Sequence, residues 1–313
     1  ACIALKVPVL GLFWDVVPEL IRPAVDAGML VVHQIGSLDD ARRAEAAGAG
    51  VLVVQGVDAG GHVRMTQPLV QLLPEVLASA RVPVLAGGGV GNGADVATLL
   101  ALGAQGVMLG ADSIATRESF TRPNQERRLD AVAGAGERLR RIAADAAQML
   151  RTAADEPPPV ELSSPVCYAR EFELARGEAI DRQSLVAELD ALLEGARAGV
   201  RLSLSGSGAG VEATGDAQAQ ARLAALHRDE VKWCGMLIAA LQSLGAAPST
   251  RTAPFYAHAA SIADADERLA ALLQRRQGAA TQQLRALLPK VADERLSDGL
   301  AEMLRTYQNA LIE

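Results

Sequence analysis

The chain has 313 residues, 50% of them hydrophobic, 21% charged and 3% aromatic, which is too apolar for disorder throughout and long enough for about two domains. A formal charge of −7 and a pI near 5.3 exclude a general attraction to nucleic acid or to an anionic membrane surface. Cys2, Cys167 and Cys234 form no C-x-x-C pair, which excludes a disulfide framework and fits a reducing, cytoplasmic setting.

The first residues, ACIALKVPVLGLF, carry neither a charged leader nor a small-residue cleavage site and read as a cut made inside a domain. From about residue 7 to residue 120, short glycine-bounded apolar runs alternate with helical patterns, the rhythm of a buried parallel sheet. Strands are expected at 7–11, 29–33, 51–55, 83–86 and 106–109, with helices at 16–27, 38–47, 69–80 and 94–102. The helix at 38–47 carries Ser37 before it, Asp39 and Asp40 in its first turn, and Arg42 and Arg43 after them, as the helix dipole favours. The uncharged runs 82–94 and 96–111 are short of the ~18 residues that span a bilayer and are broken by glycines.

Beyond residue 120 the strand signals stop. Residues 137–155 read as an amphipathic helix, with Leu139, Ile142, Ala146 and Leu150 on one stripe, and the proline-rich 156–165 reads as a linker. Long Ala/Leu-rich periodic segments follow at 184–199, 217–244, 264–288 and 293–312, with a flexible interruption at 203–215. They suggest an antiparallel four-helix bundle. The expected fold class is therefore α/β plus all-α. A partial (β/α) TIM-barrel-like segment of five units (1–130), too few for a closed eight-stranded barrel, precedes a connecting helix and linker (131–165) and a helical bundle (166–313). Five strands leave parallel edges open to a partner chain or a homo-oligomer.

Three stretches could carry chemistry. In V-V-Q-G-V-D-A-G-G-H (53–62) a strand ends near Gln55, and Gly60 and Gly61 let the backbone pass close to a flat ligand just before His62, a candidate acid or base. The other reading of His62 is a surface histidine on a glycine turn. The stretches P-V-L-A-G-G-G-V-G-N-G (83–93) and G-V-M-L-G-A-D (106–112) are successive strand-to-helix turns opening on glycine, the usual phosphate site of a (β/α) barrel.

The succession V-P-V-L-G-L-F-W (7–14), H-Q-I-G-S (33–37), Q-G-V-D-A-G-G-H (55–62), A-G-G-G-V-G-N-G (86–93), L-A-L-G-A-Q-G-V-M-L-G (100–110) and A-T-R-E-S (115–119) resembles the FMN-dependent nitronate monooxygenases, over about residues 6–122. The resemblance implies an FMN-containing barrel enzyme that oxidises alkyl nitronates with O₂. His62 matches the catalytic base that takes the α-proton of a nitroalkane. Gln34 and Gln55 match positions beside the flavin ring, and Gly88, Gly89 and Gly110 match the glycines whose amides hold the phosphate. The family commonly has Thr-Arg after the last of these, where this chain has Ala111 and Asp112. Ala111 thus sits at a cofactor-binding position without a hydroxyl, and weaker flavin binding is expected. Related barrels share the glycine turns, so an FMN-dependent NAD(P)H:quinone or enoyl-thioester reductase is the alternative chemistry. A non-catalytic barrel remnant acting through its bundle is the third reading.

Residues from about 184 onward resemble a ferritin-like helical domain found attached to nitronate monooxygenase-like proteins, through H-R-D-E-V-K-W-C (227–234) and D-E-R-L-A-A-L-L-Q-R-R-Q (266–277). His227 and Glu230 lie one helical turn apart, and Glu194 and Glu267 on other helices could join them as metal ligands. The motif His-x-x-Glu occurs once and in reversed order, so no metal site is assigned and a solvated or ion-paired face is favoured. Trp233, Leu237 and Leu241 read as core. Phe255 and Tyr256 read as loop anchors, with His258 on the surface beside them.

Overall fold

A computed structural model describes residues 2–59, 67–110, 134–151, 180–204, 217–261 and 265–309. The chain divides into two compact units, residues 1–149 and 150–313.

In the first unit, β1 (Val9–Leu12), β2 (Leu30–Ile35), β3 (Val51–Gln55), β4 (Val84–Gly87) and β5 (Val107–Met108) form one parallel sheet in sequential order, β1-β2-β3-β4-β5. The crossovers carry α1 (Pro18–Asp26), α2 (Leu38–Ala47), α3 (Leu69–Leu77) and α4 (Gly93–Ala101). Alternation along each strand sorts the side chains between two faces. Val31, Ile35, Leu52, Val54, Val84 and Ala86 are buried on one face, as are Ile21, Ala24, Ala44, Leu72, Leu73 and Val76 of the helices. The other face carries Val9 and Leu30, 47% and 45% exposed and paired in register, and Met108 at 40%. Parallel sheets are normally covered on both faces; here the second face is exposed at β1, the start of β2 and β5, while Val53 and Gln55 in its middle are buried.

Local chemistry sets the element ends. Pro18 opens α1 at a position where a missing N–H costs nothing. The Ser37 hydroxyl accepts from the Asp40 N–H at 3.0 Å to cap α2, and Gly48 closes that helix at φ +105°. Strand β2 runs two residues beyond the expected His33. The buried–accessible alternation continues through Gln34 to Ile35, so Gln34 lies within the strand. Helix α5 (Ala135–Leu150) crosses the start of α4, where a Cβ on Gly93 would stand 2.4 Å from Asp145 Cβ.

The second unit is helical: α6 (Arg182–Leu204), α7 (Ala217–Ser243), α8 (Phe255–Ala260), α9 (Ala265–Arg275), α10 (Thr281–Leu287) and α11 (Glu294–Asn309). A π-helical turn, Arg276–Ala280, joins α9 to α10, so the single helix expected at 264–288 is continuous but widened in its middle. Helix α6 packs against α7, α8 and α9, and α11 against α10 and α7. Trp233, Leu237 and Leu241 are buried core residues. Phe255 and Tyr256 begin a short helix rather than lying in a loop, and pack against buried Leu202, Leu226, Ala259 and Leu272. Arg201 stacks over the Tyr256 ring at 3.7 Å and Arg275 over the Phe255 ring at 4.5 Å. Among the described residues, no helix is long and apolar enough to cross a membrane.

Candidate active site

The carboxyl ends of parallel strands converge where a barrel or open α/β sheet places its chemistry. Gln34 pairs in register with Val53, Gln55 with Gly87, and Gly87 with Met108. Period-two alternation therefore puts Gln34, Gln55 and Gly87 on the face opposite the buried Val31, Leu52 and Val84, at one end of the sheet. There the Gln34 side-chain N–H donates to Gln55 Oε1 at 2.6 Å, across neighbouring strands. The pair leaves the Gln34 oxygen and the Gln55 amino group to offer to a third partner.

One strand further on, the backbone turns at Gly88 (φ +99°) and Gly89 (φ +69°), conformations that L side chains rarely adopt. Among the described residues, neither N–H of this glycine pair has a hydrogen-bond acceptor. Past Val90, two amides are occupied. The Asp95 carboxylate accepts from Gly91 N–H at 2.8 Å and Asn92 N–H at 3.2 Å, and Asn92 Oδ1 accepts from Asp95 N–H at 3.0 Å, a complete capping box. The N-terminus of α4, a ready anion seat by its dipole, already holds a carboxylate of its own. The amides of the glycine pair stay available to an anion at this end of the sheet, and Gly110, beside which a Cβ would meet nothing within 4 Å, follows β5. An open cleft of about 450 Å³, lined by Asn92, Gly93, Ala94, Asp145, Gln148 and Met149, lies between the start of α4 and α5.

The β3–α3 connection rests on that turn. A Cβ on Gly88 would stand 2.6 Å from Ala59 Cβ, and one on Gly89 3.2 Å from Asp58 Cβ. The two ends of the connection are tied together, Val57 N–H donating to the Gln67 carbonyl at 2.9 Å and Leu69 N–H to Asp58 Oδ2 at 2.9 Å. Gly56 has no room for a side chain, since a Cβ there would lie 2.2 Å from Leu69 N.

The structure thus brings together Gln34, Gln55, Gly88 and Gly89 of the expected site, with Gly110 following β5. Gly60, Gly61, His62, Ala111 and Asp112 lie outside the described residues. Sequence reading passed over two residues, Asp58 and Asp95. Asp95 carried a signal, because Asn three residues before Asp at a helix start is a capping pattern. Asp58 carried none, because its partner is eleven residues away.

In the helical unit the candidate ligands have separate partners. Glu194 Oε1 accepts from the Ser249 hydroxyl at 2.6 Å, His227 Nδ1 lies 2.9 Å from Ser203 Oγ, and Glu230 Oε2 accepts from the Tyr307 hydroxyl at 3.0 Å. Tyr307, which promised nothing to a metal, is thus a hydrogen-bond partner of buried Glu230. Among the described residues, no three His, Cys, Asp or Glu are grouped to hold a metal, and the side chains of Glu267 and His258 are not among those described. Burial holds His227 below the usual imidazole range, and it pushes the Cys234 thiol up to about 12 against the opposing pull of Arg197.

Residues 6–148 match the family model described as nitronate monooxygenase, and residues 183–312 match one described as a domain of unknown function (DUF6306). A nitronate monooxygenase of Neurospora crassa is 40% identical over 33% of this chain and 29% of its own length. A (3aS,4S,5R,7aS)-5-hydroxy-7a-methyl-1-oxo-octahydro-1H-indene-4-carboxyl-CoA dehydrogenase of Rhodococcus jostii is 40% identical over 32% of this chain and 28% of its own. Among solved structures, a nitroalkane oxidase of Streptomyces ansochromogenes is 32% identical over 40% of each chain, with a TM-score of 0.37. The chain spans about a third of the length of the curated relatives it matches. The motifs in family order, the parallel sheet that carries their described parts and the match at 6–148 agree in likening that segment, somewhat less than half of the chain, to the nitronate monooxygenases.

Proposed function

We propose that the first unit binds FMN at the carboxyl rim of its sheet and oxidises alkyl nitronates, and nitroalkanes through their nitronates, with O₂. The observation that carries this reading is the Gln34–Gln55 amide pair on the same face and rim as a glycine turn with two available N–H donors. The donor set suits the group. The backbone amides of Gly88, Gly89 and Gly110 would hold its phosphate, with Ala111 following them. Gln34 and Gln55 would face the ring, whose heteroatoms both donate and accept, and Gly60 and Gly61 would let the chain pass its face. When bound, FMN supplies a two-electron acceptor that O₂ reoxidises.

The chain's own part is binding, orientation and proton transfer. His62, as a neutral imidazole, takes the α-proton of a nitroalkane and leaves the nitronate; a preformed nitronate needs no such step. The amide pair, locked by its own hydrogen bond, loses little freedom when a planar ligand docks on it. Asp95 keeps α4 capped and adds a negative charge near the rim, so affinity for a phosphorylated cofactor depends on the glycine amides.

A second reading, NAD(P)H-dependent reduction of a quinone or of the C=C bond of an enoyl thioester at the same flavin site, is favoured in its thioester form by the similarity to a dehydrogenase named for a carboxyl-CoA substrate. Three measurements decide: a visible spectrum with FMN titration, steady-state turnover of an alkyl nitronate with O₂, and turnover of NADH with an enoyl thioester. Bound flavin with nitronate turnover supports the first reading, and bound flavin with thioester turnover alone supports the second. Protein that neither carries nor takes up FMN excludes both.

A further inference from the structure

Asp58 is not among the residues that the family resemblance assigns, yet it is where three constraints meet. Pro68, which precedes α3, has no side-chain cap to offer. The Asp58 carboxylate, eleven residues upstream, supplies the acceptor for Leu69 N–H at 2.9 Å instead. Negative charge there is favoured by the helix dipole. The neighbouring Val57 N–H to Gln67 carbonyl bond closes the same connection a second time. Beneath it, Gly88 and Gly89 supply the floor. Ala59 and Asp58 approach so closely that a methyl group on Gly88 would overlap Ala59 Cβ, and one on Gly89 would press on Asp58 Cβ. The glycine pair therefore performs two tasks with different atoms. Its N–H groups are free to meet an anion, while its missing side chains make room for the neighbouring connection.

We propose that Asp58 is a positioning residue, and that the turn at Gly88 and Gly89 is the seat against which it fixes the two ends from which Gly60, Gly61 and His62 are strung. That this positioning serves proton transfer rests on the proposed flavin chemistry; the seat itself does not. The cap and the seat form one device, because loosening either end releases the same stretch.

The test uses the full chain with Asp58→Ala, Asp58→Asn and Gly88→Ala. In the flavin-free protein, amide hydrogen exchange at Val57 and Leu69 should quicken about fivefold to tenfold in Asp58→Ala, the scale of one lost helix cap, with the rest of the sheet unchanged. Asp58→Asn keeps an acceptor oxygen and should restore most of the protection. Gly88→Ala, in the turn after β4, should quicken the same two amides. With FMN bound, Asp58→Ala should lower kcat on a neutral nitroalkane by about tenfold, while FMN affinity and turnover of the preformed nitronate stay within about twofold. Wild-type exchange at Val57 and Leu69 in Gly88→Ala overturns the seat. Equal exchange in Asp58→Ala and wild type overturns the positioning role, and that pair of proteins decides the matter if Gly88→Ala does not fold. Wild-type protein that takes up no FMN removes the flavin reading but not the seat, which the exchange rates decide alone.

Discussion

Asp95 reaches back over the first turn of its own helix to accept from the Gly91 N–H at 2.8 Å, and so fills with a side chain the place where many α/β proteins hold a phosphate. Two effects of this contact oppose each other. It stabilises α4, and it puts a carboxylate beside the glycine turn. Asp95→Ala should cost the first unit about 1–2 kcal/mol of unfolding free energy, read as a lower urea midpoint with unchanged slope. The same change frees the Gly91 and Asn92 N–H groups and removes a charge, so FMN should bind as tightly or up to about tenfold tighter by fluorescence titration. Tenfold weaker binding would mean instead that the capping box orders the phosphate turn.

The Gln34 to Gln55 hydrogen bond ties β2 to β3 at the rim, with Gln55 nearly buried. Gln34→Ala leaves the Gln55 oxygen without this donor, and Gln55→Ala removes the acceptor from Gln34. Each single variant should be destabilised by about 1–3 kcal/mol. In the double variant the two losses should fall short of additive by about 1 kcal/mol, because the second change finds the bond already broken. Strict additivity in urea unfolding would show that the two amides do not depend on each other.

Much of this architecture could be read from the residues. The strands at 51–55 and the helix at 38–47 match their expected bounds, because glycines and a Ser-Asp-Asp start mark them sharply. Misplaced ends have local causes. The polar pair His33 and Gln34 looks like the close of a strand, but His33 is buried on the helix-covered face while Gln34 turns to the other, so the ladder continues. Contacts between distant residues were not legible. Nothing in the spacing links Asp58 to Leu69, or Glu230 to Tyr307 77 residues away. His227 and Glu230 share a helical face as their spacing implies. Their partners come from α6 and α11 respectively, and only tertiary packing decides that. The π-helical turn at Arg276–Ala280 has no sequence signature of its own inside an unbroken Ala/Leu periodicity.

His62 is the base in the proposed reaction, and its substitution separates two substrates. His62→Asn cannot take the α-proton of a neutral nitroalkane, whereas a preformed nitronate arrives already deprotonated. With FMN retained, turnover of the nitroalkane should fall by about two to four orders of magnitude, and that of the nitronate by less than tenfold. Parallel measurement with both forms of one compound checks this. Equal losses on the two would take the base assignment from His62.

Cys234 is buried in the helical unit, its thiol pushed up to about 12 by desolvation, while Cys2 is exposed. Between pH 7 and 9 the folded protein should therefore alkylate at Cys2 and spare Cys234 until the second unit is unfolded, as peptide mapping after iodoacetamide would show. The same shift has a consequence for stability. The unfolded chain releases this proton near its ordinary value of 9.0, the folded chain only near 12, so in that interval the native state binds more protons than the unfolded state. The stabilising contribution of the neutral thiol is thus complete below about pH 9 and is lost as the pH rises from 9 toward 12. Cys234→Ala should lower stability at pH 7 through the lost packing, yet flatten the fall of the second unit's unfolding free energy between pH 9 and 11. An equally steep alkaline slope in the variant would assign that pH dependence to other groups.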